Sequence, residues 1–283
     1  MKPVKPNIGG QALIEGVMMR GPKYTAMAVR KDGEIIIKKE ENYSLADKYA
    51  FLKLPFFRGV LSLVEMLIIG IRALSYSASI AGEEDEQLTS RDITMALITA
   101  FAFAVVLFII IPTFTVKFIS GRIDSPIVLN LIEGLIRIAI FLIYIIVISN
   151  MQDIRRVFEY HGAEHKVVHC YENGEKLTPE NAAKYKTLHP RCGTSFIMVV
   201  MLISILLFSF LGWPGILERI ISRILLLPVV AGISYEFIRL AGKSKAPWVR
   251  IISAPGIWLQ KFTTREPDES QLEVAIAALK SVL

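Results

Sequence analysis

Long apolar runs separated by short charged stretches dominate the chain, and each run predicts a helix. Ile93 to Val116 carries no charge over 24 residues, enough to cross a bilayer, and Pro112 predicts a kink near its end. A second span, Pro126 to Ser149, is strongly apolar after Ile138, while Glu133 and Arg137 sit in its first half. Their spacing of four lets them pair along one helix face. Ionisable groups in a span either serve interhelical or transport roles or lie near the outer surface and snorkel. A third span runs from about Thr194 to Leu211, closed by Trp213-Pro214-Gly215. The fourth, roughly Ile220 to Leu240, has a short charge-free core between Arg223 and Glu236. Pro228 and Gly232 interrupt it, so a broken or tilted helix is expected.

From Pro55 to Ile80, Arg58, Glu65 and Arg72 recur every seven residues on one face of an otherwise apolar stretch. This predicts an amphipathic helix at the interface or against the bundle, or alternatively a re-entrant hairpin. Residues 1–55 form a more polar segment. Within it Tyr24 to Val29 and Glu34 to Lys39 are β-prone and joined by Lys31-Asp32-Gly33, a hairpin signal. Ile8 to Pro22 is punctuated by glycine; it either forms a buried strand with tight turns, cradles an anion, or brings Glu15 and Arg20 to a site. The acidic patch Glu83 to Glu86 reads as a solvated linker. After Gly242, Trp248 and Trp258 lie among basic residues and predict a segment skimming the membrane surface. Pro267-Asp268-Glu269-Ser270 then opens an amphipathic helix.

The expected fold is mainly α: a polytopic helical membrane protein with about four transmembrane helices, an extra amphipathic or re-entrant helix at 56–82, and a small N-terminal β-hairpin region. Spans one and two occupy 92–150, a His/Cys loop 151–193, spans three and four 194–241, and an interfacial segment with a last helix 242–283. Composition supports this: 53% of the chain is hydrophobic and mean hydropathy is +0.49, too apolar for an ordinary soluble domain. The net charge of +6 therefore points to anionic lipid rather than nucleic acid, for which no aromatic-basic pattern appears. The loop at 150–193 carries seven Lys and Arg, against nearly balanced loops at 120–125 and 212–219. By the positive-inside rule the His/Cys loop and both termini face the cytosol. No cleavable signal peptide is evident in the first residues, and two cysteines do not make a disulfide scaffold.

Candidate chemistry concentrates in one place. All four histidines (His161, His165, His169, His189) and both cysteines (Cys170, Cys192) fall between Tyr160 and Ser195. The core is H-x-x-E-H, His161 to His165, which on a helix puts two imidazoles and the Glu164 carboxylate side by side. His189-Pro190-Arg191-Cys192 adds a nitrogen and a sulfur ligand. The mixed donors favour zinc or another divalent transition metal. In a catalytic site His161, His165 and one further ligand leave a place for water, with Glu164 as general base. In a structural site His161, His165, His189 and Cys192 close a tetrahedron, His169 standing by. The third reading is ordinary polar histidines beside a membrane.

The chain resembles the YqhQ-like family of bacterial membrane proteins. The resemblance rests on GGQALIEGVMMRGP at 9–22, RGVLSLVEMLIIGIRAL at 58–74, YHGAEHKVVHCYE at 160–172, HPRCGTSF at 189–196 and PGIWLQKFTTREP at 255–267. It implies a multi-pass topology and a metal-dependent activity, and it names no substrate. The residues themselves lead to metal-assisted hydrolysis of a membrane-associated substrate such as a lipid or membrane peptide. The alternative is a non-enzymatic scaffold, or a channel- or transporter-like homo-oligomer, with a structural metal site.

Overall fold

The computed structural model describes residues 8–82, 89–241 and 247–283. The acidic patch at 83–86 lies outside them. The chain opens with a four-stranded antiparallel meander of β1 (Gly9–Leu13), β2 (Gly16–Arg20), β3 (Tyr24–Lys31) and β4 (Glu34–Glu41). β3 and β4 are the expected hairpin, in register from Tyr24↔Glu41 to Lys31↔Glu34. Asp32 (φ 51°) and Gly33 (φ 85°) both take the left-handed conformation that a two-residue turn of this kind requires. The glycine-punctuated segment supplies a second hairpin, β1 and β2, so the expected single hairpin is half of the sheet.

Both faces of this sheet are covered, which explains why β2 reads as an unbroken apolar run. Side chains alternate across a strand. Val17, Met19, Ala26 and Ala28 face one core, shared with the long helix α6 (Gln152–Asn173) and the last helix α12 (Glu269–Val282). Leu13, Met18 and Met27 face the other, against Ala73, Ile69 and Tyr76 of α2 (Phe57–Ala81). A short helix α1 (Leu45–Lys48) leads into α2, and α7 (Pro179–Ala183) follows α6. The N-terminal sheet, the histidine-bearing helix and the C-terminal helix thus make one folded unit. Asp268 caps α12 by accepting the Gln271 N–H while the Gln271 side chain returns a bond to the cap.

The remaining helices form an apolar bundle. Ser90–Val105 (α3), a π-helical turn at Val106–Ile110 and Ile111–Ser120 (α4) are continuous, and Pro126–Ile148 is α5. Among the described residues Arg91–Ser120 and Pro126–Ile148 are long and apolar enough to cross a membrane. Outward-facing positions on these helices are large and apolar, Phe101, Phe118, Leu135 and Ile143 among them. Gly193–Ser209 (α8) is apolar but has 17 residues, or about 25 Å of helix, short of a typical ~30 Å hydrocarbon core. The expected fourth span is two helices, α9 (Ile216–Leu225) and α10 (Leu227–Ala241), broken just before Pro228. Of four expected spans, two therefore meet the length and apolarity of a crossing on their own.

Several expectations are corrected. α2 is one helix of 25 residues, not a re-entrant hairpin, and it packs on α10, where the Arg58 guanidinium grips the Glu236 carboxylate. The supposed His/Cys loop is helical over its first half. The tail expected to skim the surface is α11 (Pro247–Thr263), and its last turns are interior: Leu259 and Gln260 are fully buried, in a helix packed on α8. Burial of the α12 side chains fastens the two ends of the chain together, each large apolar residue contributing about 1.5–3 kcal/mol. Leu279, wholly buried between α12 and the sheet, tests this. Leu279→Ala should cost about 2–5 kcal/mol in denaturant unfolding of the purified protein. Loss below 0.5 kcal/mol would mean that α12 is not part of the core.

Candidate metal centre

α6 holds the chemistry because its two faces differ. Tyr160, Ala163, Val167, Val168, Cys170 and Tyr171 enter the core with the sheet and α12. His161, His165 and His169, four residues apart, form a stripe on another face. The segment from Thr187 to Cys192 lies along this stripe. His165 Nδ1 bonds the Thr187 carbonyl, and His169 Nε2 bonds the Leu188 carbonyl at 3.0 Å. His161 Nδ1 bonds the Thr263 carbonyl at the end of α11, at 2.7 Å. Gly162 makes that last approach possible, since a Cβ there would run into the Arg265 carbonyl, and Arg265 N–H in turn donates to Phe158 O at 2.9 Å.

The carbonyl bonds set the tautomers. With Nδ1–H of His161 and His165 each donating to a backbone oxygen, both Nε2 atoms keep a lone pair. His161 Nε2 lies 3.2 Å from Cys192 Sγ, and His165 Nε2 is buried with no hydrogen-bond partner. The ligand atoms of His161, His165 and Cys192 all fall within 4.8 Å of one another. An imidazole whose far nitrogen is fixed by a carbonyl is the usual arrangement of a metal-ligating histidine. An orphaned buried nitrogen costs about 1–3 kcal/mol unless something fills its place. Two nitrogens and a sulfur suit zinc.

His169 and His189 stand apart from that triad, in a second group with Glu172. His189 Nδ1 accepts the Arg191 N–H at 3.2 Å, so the neutral ring carries its proton on Nε2, which is 3.5 Å from the Glu172 carboxylate. Glu172 is also ion-paired to Arg191. The geometry of the His189–Glu172 contact does not make a hydrogen bond, and His189 Nε2, like His165 Nε2, is buried with no hydrogen-bond partner. The rings nonetheless run as a chain: His161 to His165 4.4 Å, His165 to His189 5.6 Å, His189 to His169 4.5 Å between centroids. Cys170 is in the core and its thiol points to the Lys176 carbonyl.

Glu164 lies beside the triad under β1. The Gly10 N–H donates to its carboxylate, and a Cβ on Gly10 would come within 2.8 Å of Glu164 Cδ. Burial pushes the Glu164 carboxyl up to about 7, the neighbouring Cys192 adding to the rise, while His161 and the Gly10 N–H hold it back. Burial likewise drives His165 down to about 2 and His189 down to about 4, so both rings are neutral at physiological pH. The Cys192 thiol is raised by burial, against the Thr194 hydroxyl and amide at the N-terminus of α8.

Some contributors were not foreseen from the sequence. Gln260 of α11, fully buried, clamps His189 by accepting its N–H and donating to its carbonyl, both at 2.8 Å. Glu15 and Arg20 do not reach the centre: Glu15 pairs with Arg156 on α6, and Arg20 contacts Met66. From the glycine-rich segment it is Gly10 that touches the site.

Residues 54–283 match the profile of a family described as "Protein of unknown function (DUF1385)". The chain belongs to that family. It is similar to the "Uncharacterized protein YqhQ" of Bacillus subtilis (strain 168), 34% identical over 296 residues that cover 99% of this chain and 93% of the relative. No solved structure matches. The family match takes in α6, the Thr187–Cys192 segment and α11, every element that carries a ligand or its anchor.

The buried carboxyl makes a pH prediction. Its folded-state value of about 7, against an ordinary 4.5, means that the folded protein binds the extra proton, so stability falls as pH rises through 4.5 to 7. His165 and His189 act in the opposite sense, costing stability as pH falls below 6.5. In chelator-treated protein Glu164→Gln should remove the first effect alone. Urea unfolding should find the variant more stable than wild type at pH 8 by about 2–3 kcal/mol and nearly equal at pH 4.5. A constant difference across that range would contradict the assignment.

Proposed function

We propose that this family member is a multi-pass membrane protein of the bacterial inner membrane, with both termini cytosolic. In this reading His161, His165 and Cys192 hold a zinc-class divalent ion for hydrolysis of a membrane-associated substrate. The observation that carries it is the orphaned, buried Nε2 of His165 within 4.8 Å of the other two donors. The apolar outer surface of α3 to α5 and the two helices long enough to cross a bilayer support the membrane setting. The sheet, α6 and α12 gather the site and both ends of the chain into one unit, in keeping with the loop charge.

Bound zinc supplies Lewis acidity and a water acidified toward neutral pH. The chain's own groups do the rest. Thr187 and Thr263 carbonyls orient the two imidazoles. Loss of the Cys192 proton lets the sulfur ligate. Glu164, held near neutrality by its burial, accepts a proton from the attacking water and returns it to the leaving group. A second reading, a structural clamp in a non-enzymatic scaffold, is favoured by the depth of the site, where His165 is only 2% exposed. It shares the three donors, needs a fourth that His189 in the other group does not supply, and dispenses with Glu164.

Metal content and turnover separate the readings. Purified wild type should carry about one zinc per chain, and His165→Ala and Cys192→Ala should lose most of it. Vesicles of phosphatidylethanolamine and phosphatidylglycerol, and a detergent-solubilised transmembrane peptide, serve as substrates, with products followed by mass spectrometry. Glu164→Gln should keep its metal and lose at least a hundredfold in product formation. Equal turnover by the variant would remove Glu164 as base. Metal-loaded wild type without turnover on either substrate would favour the clamp, and metal-free wild type would remove both readings.

A further inference from the structure

A second buried polar cluster lies at the other end of the bundle and plays no part in the histidine site. Glu133 on α5 is 1% exposed, and three guanidinium groups surround it: Arg137 from the same helix, Arg219 and Arg223 from α9, each no more than 9% exposed. Arg223 Nη2 donates to Glu133 Oε2 at 2.7 Å, and its Nη1 bonds Thr113 Oγ1 at 2.6 Å. Arg137 Nη2 reaches Glu133 Oε1 at 3.2 Å, while Arg219 Nη1 stands 3.5 Å from Oε2. Of the roles the sequence leaves open for Glu133 and Arg137, this burial favours the interhelical one over snorkelling to the surface. The two other partners come from α9, which sequence spacing could not bring near.

The cluster is built into the helix geometry. Pro112 has no N–H for the carbonyl four residues back, that of Phe108, and the helix widens there into the π turn Val106–Ile110. Arg137 Nε donates to that Phe108 carbonyl at 2.8 Å. The aromatic ring of Trp213 lies 3.8 Å from the Arg219 guanidinium carbon, and Phe208 lies 5.6 Å from those of Arg137 and Arg223.

Charge does not balance. Three cations face one carboxylate, and the nearest other acids on the same elements and the preceding loop, Glu218 and Asp124, are exposed. Uncompensated charge in a low-dielectric interior is expensive, and Arg219 Nε, buried, has no hydrogen-bond partner. Aromatic faces offset part of this. Guanidinium forks match the oxygens of phosphate, and a phosphate group brings the one or two negative charges that are missing.

We propose that Arg137, Arg219 and Arg223, with Glu133 as their spacer, form an anion site that takes a phosphate group beside the free Nε of Arg219. The Trp213 turn and the start of α5 at Pro126 lie next to the cluster, since Asn130 joins them by bonds to the Pro126 and Gly212 carbonyls. From Glu133 to the end of α5, where α6 and the histidines begin, is about 22 Å of helix. The site is thus separate from the metal centre and stands if that centre fails.

The source of the phosphate is either a free anion or a lipid headgroup, and two probes distinguish them. Full-length protein, purified and stripped of lipid, is titrated with inorganic phosphate in detergent and, separately, with phosphatidylglycerol, using phosphatidylcholine as the uncharged control. Thermal shift and native mass spectrometry report binding. Wild type should bind one of the probes, phosphate if the ligand is a free anion and phosphatidylglycerol if it is a headgroup. Arg219→Gln should weaken that binding at least tenfold, and Glu133→Gln should tighten it by removing the competing carboxylate. No binding of either probe by folded wild type overturns the proposal, as does unchanged affinity in Arg219→Gln. If Arg219→Gln does not fold, Glu133→Gln decides, and affinity equal to or weaker than wild type overturns the site.

Discussion

Everything proposed for the histidine helix depends on two backbone carbonyls, those of Thr187 and Thr263, which come from two separate segments after α6 and occupy Nδ1 of His165 and His161. Without them either ring could rotate or change tautomer, and the Nε2 lone pairs would not converge. The sheet, α11 and α12 can be understood as the frame for these contacts. β1 closes over Glu164, Gln260 fixes the strand-like segment that carries Thr187, and Gly162 lets the Thr263–Arg265 stretch lie against α6. Removing solvent from this region is what moves the titrations: a carboxyl made hard to ionise and imidazoles made hard to protonate. The same burial leaves Nε2 of both His165 and His189 unsatisfied, a cost that the proposed ion would offset at His165.

The two polar clusters of the molecule are built on different logic. At the sheet end, neutral donors gather with one carboxyl and invite a cation. At the far end of α5, guanidiniums outnumber carboxylates and invite an anion. Between them run apolar helices whose outward residues are large and exposed. Holding three guanidiniums in the interior at that far end carries a considerable desolvation penalty.

Much of this was legible in the sequence, and the reasons for the exceptions are physical. The charge-free run from Ile93, the Asp32-Gly33 turn and the H-x-x-E-H face are local patterns, and they appear where spacing places them. The partition of the five candidate ligands was not legible. His189 is three residues from Cys192 in the sequence, yet Arg191 N–H and Glu172 turn its ring into the other group, a matter of side-chain direction that spacing does not encode. The second hairpin was hidden because a strand buried on both faces loses its alternation. α11 looked interfacial from its tryptophans and basic residues, but Leu259 and Gln260 face α8 and the His189 segment. Arg219 and Arg223 join Glu133 across some 90 residues, beyond any helical periodicity.

The convergence of His161, His165 and Cys192 on one ion is tested most directly by zinc K-edge X-ray absorption on the purified, full-length protein. The account predicts a first shell containing two imidazole nitrogens near about 2.0 Å and one sulfur near about 2.3 Å, with a light-atom ligand in the remaining position. A shell without sulfur, or one made only of oxygen with no imidazole scattering, would contradict it.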